Sequence, residues 1–557
     1  MENFEKGLKI CENGVFDYTI VIPEKATYCI NLLAENLKKD LAPFSADEIK
    51  VVKDNEDSDH NKTKEILLYK TNREESKKAL CTLGYVDYTV REINGRIVIA
   101  AHSEAAACDA VERFLLYMNA FRPMALIGMP RATMPRGYSL DGNVKRFVSS
   151  LPVYEGGVLA GVSAAESDSY TVSIDETTKD EYNAYLSKLE AAGYAKYTDN
   201  DICGNLFATY TNAGSNVFCE YIPCYAKAKI TATHKEPLPG LASDNVYEDK
   251  GVKPFMAMLE MVNAVDTCGF SFVWRLCDGS FVILDGGLPE YDERDAGTQH
   301  DQLYKFLKAH TVDGGEPKVA AWFFSHAHND HIGCFMSFAA KYSPLVKIEQ
   351  IIYSFPPDEM VSPVQARYQH RFRRIAANCG DDVKIIHHHT GQKFFIRDAE
   401  IEILYTLDDF YPKVLMHVQP VNCPQPYLKH HTYPKDNSFF NDTSTVFTVK
   451  MAGQKIMMLG DATFLSADIC VDMYGHGLKS DILQLGHHGS HGCTLQLYEH
   501  IVPEVILFPV ATVRFMQRIL ISLNSALIDR MNVKEMFLSG KGDSVLYLPY
   551  TPDNKYE

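Results

Sequence analysis

Residues His326 to His331 read H-x-H-x-D-H, which places three imidazoles and one carboxylate inside six positions. Imidazole nitrogen and carboxylate oxygen are the ligands that divalent cations of borderline hardness take from proteins, and so many in one short run can serve two adjacent ions. A polar loop with incidental histidines is the plainer alternative, and it does not explain the grouping. Downstream, Lys455 to Asp461 (KIMMLGD) is an apolar run ending in Gly-Asp, so Asp461 stands at a strand tip where one oxygen can go to each of two cations. A third stretch, Gly486-His487-His488-Gly489-Ser490, follows the strand-like Asp481 to Leu485 (DILQL).

The elements that must position these groups are legible beside them. Val319 to Phe324 (VAAWFF) has the pattern of a buried strand, and Ile332 to Tyr342 has helical apolar spacing. The H-x-H-x-D-H run therefore falls on a strand-to-helix loop, where α/β proteins place ligands.

Taken in this order, the H-x-H-x-D-H, Gly-Asp and H-H-G-S motifs resemble the metallo-β-lactamase superfamily of hydrolases. Within it they are similar to the branch that includes the metallo-hydrolase domain of the competence DNA-uptake channel. The resemblance covers roughly Gly269 to Leu548, including Phe281 to Gly287 (FVILDGG), which looks like the family's early strand and its Asp-Gly-Gly turn. It implies that His326 and His328 ligate one metal, that Asp330, His331 and His487 ligate a second, and that Asp461 bridges them. Many members supply a third histidine to the first metal from a segment that here reads Asn441-Asp442-Thr443-Ser444. Asn441 or Asp442 is then an additional ligand, harder than imidazole, which turns the first site toward manganese or iron. The competence branch has a similar Asn-x-x-Ser.

Residue 328 narrows the reaction. Diiron relatives usually carry Glu there, whereas His328 suits a Lewis-acid hydrolytic centre. The implied cofactors are two divalent ions, zinc first, with manganese or iron as alternatives. A metal-bridging water, its pKa lowered toward ~7, would attack as hydroxide. Asp330 is the candidate to orient it, and His488 or His491 the candidate to donate a proton to the leaving group or the developing oxyanion. A supporting or packing role is the alternative for both histidines.

At 557 residues the chain has room for about three to four domains. A content of 46% hydrophobic and 23% charged residues is that of a soluble globular protein, and no apolar run approaches the ~20 residues that span a bilayer. Met1 to Ile10 has no apolar core of a secretory signal, which makes the cytoplasm the expected location. The 14 cysteines lack C-x-x-C units and read as reduced, mostly buried thiols, with Cys334 just beyond the metal loop. A net charge of -17 argues against broad attraction to nucleic acid or an anionic membrane. A local basic patch remains at Pro363 to Asn378. There Val364, Tyr368, Phe372 and Ile375 have helical spacing and Arg367, Arg371, Arg373 and Arg374 fall on other faces, as a solvated helix surface or as a phosphate-binding rim.

Three parts follow along the chain. Residues 1–130 alternate strand-like and helix-like stretches, a small α/β module; Glu65 to Tyr69 (EILLY) and the run from Gly95 (GRIVIAAHSEAAACDAVERFL) are similar to the N-terminal accessory domain of α-glucuronidases. No carboxylate pair suited to glycoside hydrolysis is present there. Residues 131–240 form an α+β module without recognisable chemistry, closed by the linker Glu236 to Leu241 (EPLPGL). Residues 241–557 are the hydrolase domain, an αββα metallo-β-lactamase-like sandwich. Of 20 histidines only His60, His102 and His234 precede residue 300, which agrees with this division. His387-His388-His389 reads as a polar loop, one member of which could line the pocket. His430-His431 sits in Val421 to Phe440, whose composition suits a lid.

The reading is a multidomain α/β protein whose C-terminal domain is a metal-dependent hydrolase of a phosphodiester or related phosphate ester. Its partner is a small-molecule or phosphate-ester substrate, with nucleic acid disfavoured by charge and no membrane. Hydrolysis of a lactone, thioester or amide would use the same centre. A carbohydrate-associated binding or scaffold protein with a structural metal is the rival from another class, and a centre closed by protein ligands would favour it.

Overall fold

Period-two burial in the first 143 residues builds a sheet with two different faces. Ile20, Ile22, Ile66, Leu68, Ile97 and Ile99 enter one apolar cluster, and the intervening Val21, Leu67, Val98 and Ala100 enter another. In this computed structural model residues 8–12, 15–56, 64–84, 87–119, 132–143, 151–163, 169–260, 270–288, 298–356, 361, 363–380, 382–406, 409, 437–490, 492–510, 515 and 533–553 are described. Contacts divide the described residues into two units, those from 8 to 163 with 169–193, and those from 194 to 553.

In the first unit the strands Val51–Lys53, Thr19–Ile22, Glu65–Leu68 and Arg96–Ala101 are parallel neighbours, and Asp87–Ile93 and Ser139–Asn143 extend the sheet antiparallel. The helices Tyr28–Leu41 and Glu104–Asn119 supply the larger cluster, with Ile30, Ala34, Leu37, Val111 and Phe114. Ala79, from Glu74–Leu80, joins the smaller one. Glu65 is fully buried and balanced by Arg73 at 3.2 Å and Arg96 at 2.7 Å, as a buried carboxylate must be. The hairpin Val158–Ser163 and Ser169–Asp175 precedes the helix Lys179–Ala191, which starts at a Thr178–Glu181 capping box.

The second unit opens with the antiparallel strands Ala195–Ile202, Asn205–Thr211, Ser215–Ile222 and Lys227–His234. Two larger sheets follow. One runs Lys384–His387, Gln350–Tyr353, Lys318–Phe323, Phe281–Asp285, Ser271–Arg275, Phe255–Met258, Ser544–Tyr547; the other runs Lys393–Ile396, Ala399–Tyr405, Val446–Met451, Gln454–Met458, Ile482–Gln484, Val505–Phe508, Glu535–Leu538. One apolar cluster takes side chains from both, among them Trp274, Phe323, Ile403 and Phe447. The far side of the first sheet packs Trp322 against Leu303, Phe335 and Phe372 of the helices Gln299–His310, Asn329–Tyr342 and Pro363–Ala376. The far side of the second packs Leu483 and Ile506 with Ile469 and Leu497 of the helices Phe464–Tyr474 and Leu495–Ile501. No helix among the described residues is long and apolar enough to cross a membrane.

Candidate metal centre

The metal-type residues leave the ends of three strands. Lys318–Phe323 runs out into the loop that carries His326 and His328 and into the helix Asn329–Tyr342, whose first turn holds Asp330 and His331. Gln454–Met458 ends before Gly460-Asp461, and Ile482–Gln484 ends before Gly486–Gly489. Parallel pairing of the last two strands brings their ends side by side.

The candidate ligand atoms form two groups of three, His326, His328 and Asp461 in one and Asp330, His331 and His488 in the other. Asp461 reaches both. Its Oδ2 lies 3.8 Å from His326 Nε2 and 3.3 Å from His331 Nε2, and its Oδ1 lies 3.3 Å from His488 Nε2. His488 Nε2 is also 3.5 Å from Asp330 Oδ2. The sequence expectation gave the place beside Asp330 and His331 to His487 and a proton-donor role to His488 or His491; the geometry instead brings His488 into that group. The difference has a backbone cause. His487 and His488 are both left-handed, at φ 47° and 49°, which turns the two rings to different sides. His488 Nδ1 lies 3.1 Å from the Pro509 carbonyl, so Nδ1 carries the hydrogen and Nε2 presents its lone pair to the cluster. His487 Nε2 instead lies 3.1 Å from Asn441 Nδ2.

Asp442 is occupied elsewhere. Its oxygens accept from Thr463 Oγ1 at 2.6 Å and Ser466 Oγ at 2.8 Å, as well as from the amides of both residues at the start of the helix Phe464–Tyr474. His387, His388 and His389 belong to neither group: they meet Glu236 at 2.8 Å, Thr445 at 2.7 Å and the Phe218 ring at 3.6 Å. The arginines of Pro363–Ala376 stand away from the loop. The buried face of that helix is Gln365, Gln369, Phe372 and Ala376, with Gln365 donating to the Ala327 carbonyl, while Val364 is 51% exposed. At 3.6 residues per turn Arg367, Arg371 and Arg374 fall on the opposite, solvent side, and Arg373 reaches back to the Pro356 carbonyl at 3.0 Å. His491, and nearly all of Val421 to Phe440 with His430-His431, lie outside the described residues.

The centre has the electrostatics of a cation site. Burial pushes His326 well below its ordinary pKa and lowers His328, so both rings are neutral and fit to ligate. Burial also opposes charge on His331, but Asp461, Asp285 and Asp330 outweigh it and hold that imidazole well above its usual value. Asp461 is held well below the carboxylate range, burial notwithstanding, by His488 and His331. The carboxylates thus draw positive charge inward. His331 Nε2 and Asp461 Oδ1 are buried and, among the described residues, have no hydrogen-bond partner, which is how ligand atoms look when they are arranged for an ion and not for one another. This donor set of imidazole and carboxylate fits divalent zinc, manganese or iron. Cys334 is fully buried and its thiol pushed up, so it stays out of that chemistry.

Asp285 belongs to the site although its spacing from the motifs does not announce it. At the end of Phe281–Asp285, left-handed at φ 56°, its carboxylate lies 2.7 Å from His331 Nδ1 and accepts from Ser325 N at 2.8 Å and Ser325 Oγ at 2.7 Å. It therefore fixes the tautomer that turns His331 Nε2 to the cluster. The available signal was the strand followed by Asp-Gly-Gly.

Residues 266–409 match the family model of the metallo-beta-lactamase superfamily, a span that holds His326 to His331 and Asp285 but ends before Asp461 and His488. No curated protein sequence matches the chain. Among solved structures it is similar to the metallo-beta-lactamase fold protein YhfI from Bacillus subtilis, at 13% identity over 52% of this chain and 98% of that one, TM-score 0.32. Unliganded yeast PDE1 matches at 12% identity over 53% and 100%, TM-score 0.31. The diiron β-hydroxylase CmlA from Streptomyces venezuelae matches at 10% identity over 56% and 55%, TM-score 0.31.

Proposed function

We propose that residues 241–557 are an αββα metallo-hydrolase domain that cleaves a phosphate ester, phosphodiesters first. The cations would be held by His326, His328 and Asp461 on one side and by Asp330, His331 and His488 on the other. The observation that carries the reading is the Asp461 carboxylate, whose two oxygens face both ligand groups. Two divalent ions, zinc or alternatively manganese or iron, supply Lewis-acid activation of water and polarisation of the phosphoryl group, and such pairs suit in-line displacement at phosphorus.

The chain's own residues do the remainder. Asp285 and Pro509 set the tautomers of His331 and His488. Asp330, at the start of a helix and beside His488, orients the attacking water. His487, whose Nε2 accepts from Asn441 Nδ2, would give a proton to the leaving oxygen from Nδ1, the role the sequence had suggested for His488 or His491. The H-H-G-S and Asn-x-x-Ser segments, similar to those of the competence branch, support the phosphodiester choice.

The test is metal analysis of purified protein with turnover on bis(4-nitrophenyl) phosphate, 4-nitrophenyl phosphate, a lactone and a thioester. Two metal equivalents and phosphodiester turnover are expected, with Asp461→Ala losing both while thermal unfolding stays near that of the parent. Full turnover and full metal in Asp461→Ala sinks the two-metal mechanism. Turnover confined to the lactone or thioester moves the substrate class, and metal without turnover on any ester leaves the scaffold reading.

A further inference from the structure

A fully buried glutamine in the middle of a strand-end motif must place two donors and two acceptor positions, because an unpaired buried amide is costly. Gln484, in the run Asp481 to Ser490 (DILQLGHHGS), is fully buried and places all of them. Its Oε1 accepts from Leu459 N and Gly460 N, each at 2.8 Å. Its Nε2 donates to the Gly460 carbonyl at 3.0 Å and to the Leu485 carbonyl at 2.6 Å. Parallel pairing between Gln454–Met458 and Ile482–Gln484 ends at Met457 and Leu483, so the side chain continues the ladder where the backbones part.

What it joins matters more than the bonds themselves. Leu459 and Gly460 lead directly into Asp461, a member of the His326–His328 group, and Leu485 leads into the turn that presents His488 to the Asp330–His331 group. The Gly460 carbonyl also accepts the His487 backbone N–H at 3.1 Å, so one oxygen ties both turns. Gly460 is left-handed at φ 54°, and a Cβ there would lie 2.9 Å from Ser325 Cβ, next to His326. Gln484 and the Gly460 carbonyl thus link the two turns.

We infer that Gln484 is a positioning residue that couples the two ligand groups, so that they fill with metal together. The inference rests on the two-group reading of the centre. A cation that draws in Asp461 orders Gly460, and through Gln484 orders the turn that holds His488; by linkage the converse holds as well. An apolar side chain of the same length would fill the space and cut both connections.

The full-length protein, stripped with a chelator, is titrated with cobalt(II) alone and followed by its visible absorption and by competition with a chromophoric chelator. The parent should take two equivalents in one cooperative step. Gln484→Met should split this into two steps and weaken both by about 10–100-fold, the usual range for outer partners of metal ligands. Gln484→Glu keeps the acceptor arm to Leu459 and Gly460 and loses the donor arm. Gly460 then loses one of its two bonds to residue 484 while Leu485 loses its bond entirely, so the group containing His488 should weaken more than the other, a selective change that general loosening of the fold would not produce. Variants whose titrations superimpose on the parent's overturn the inference, as does a parent that fills its groups independently. Loss of near-ultraviolet circular dichroism in both variants also overturns it, because Gln484 then only holds the fold. A parent that binds no cobalt overturns the two-group reading itself.

Discussion

Asp285 shows how one carboxylate outside the two groups decides which nitrogen a candidate ligand presents. With Asp285 on Nδ1, His331 presents Nε2 to Asp461 at 3.3 Å, and the negative charge behind the ring raises its basicity toward a cation. Asp285→Asn keeps the shape and removes the charge. Metal affinity measured by chelator competition should fall by about 10–100-fold with little loss of fold, and unchanged affinity would show that His331 does not depend on it. Among residues away from the centre, Lys70 offers an independent check. Burial lowers its pKa to about 8 in spite of the opposing pull of Glu104, and its ammonium lies 5.0 Å from the centroid of the Tyr69 ring. Its unfolded value is about 10.4, so the unfolded chain binds the extra proton between these limits and stability should rise as pH climbs from about 8 toward 10. In carbon-13 spectra of dimethylated protein one lysine should titrate near pH 8, and its signal should vanish in Lys70→Met; if all lysines titrate near pH 10, this environment for Lys70 is wrong. The identities of the metal-type residues were open to reading from their types and spacing. Which of His487 and His488 turns inward was not, because it follows from two consecutive left-handed residues and from the Pro509 carbonyl, 21 positions away.

Elements were legible in proportion to how much apolar pattern they carry. The strands at Lys318–Phe323 and Gln454–Met458 and the helix Asn329–Tyr342 lie close to the runs expected for them. Ala195–Ile202 (AKYTDNDI) carries no strand signal in its sequence because it is an outer strand of its meander, with only Ile202 buried, so nothing alternates. In Pro363–Ala376 Phe372 is buried and Tyr368 and Ile375 pack beside it as their spacing implied, but Val364 is exposed and two buried glutamines complete the inward face, with Gln369 donating to the Pro356 carbonyl at 2.9 Å. The glutamine part of that face is invisible to hydrophobic periodicity. The Gly460 turn is the element on which most rests, because its positive φ and its approach to Ser325 both require the missing Cβ. Gly460→Ala should push the Asp461 turn away from the H-x-H-x-D-H loop, abolish stoichiometric metal binding and lower stability by about 1–3 kcal/mol. Metal analysis and chemical unfolding check it, and a variant with full metal content would mean that the turn yields more easily than the geometry implies.

At the scale of the molecule, the strands of 195–234 and the two large sheets lie in one contact unit, and the bonds between them are buried and polar. Lys229 sits between Glu220 and Asp409, at 2.6 Å from each, and Asn205 donates to the Met473 carbonyl at 2.6 Å. Ile202, Phe207 and Ile222 enter the same apolar cluster as Leu483, Ile506 and Leu497. Gly391 meets the Phe207 ring so closely that a Cβ would overlap it. Directional bonds on top of apolar burial make joint unfolding the expected behaviour, and the chain carries its own reporter of it. Its two tryptophans, Trp274 and Trp322, are both buried in the large-sheet part of this unit and absent from the strands of 195–234. Lys229→Met leaves Glu220 and Asp409 buried without their shared cation, which costs about 3–5 kcal/mol when a buried pair is broken from one side. If the strands and sheets unfold as one body, the tryptophan fluorescence midpoint should fall by about 5–10 °C although the substitution lies in the strands. A tryptophan transition that stays in place while circular dichroism shows an earlier, separate loss of structure would make the strands of 195–234 a body that unfolds independently of the two large sheets.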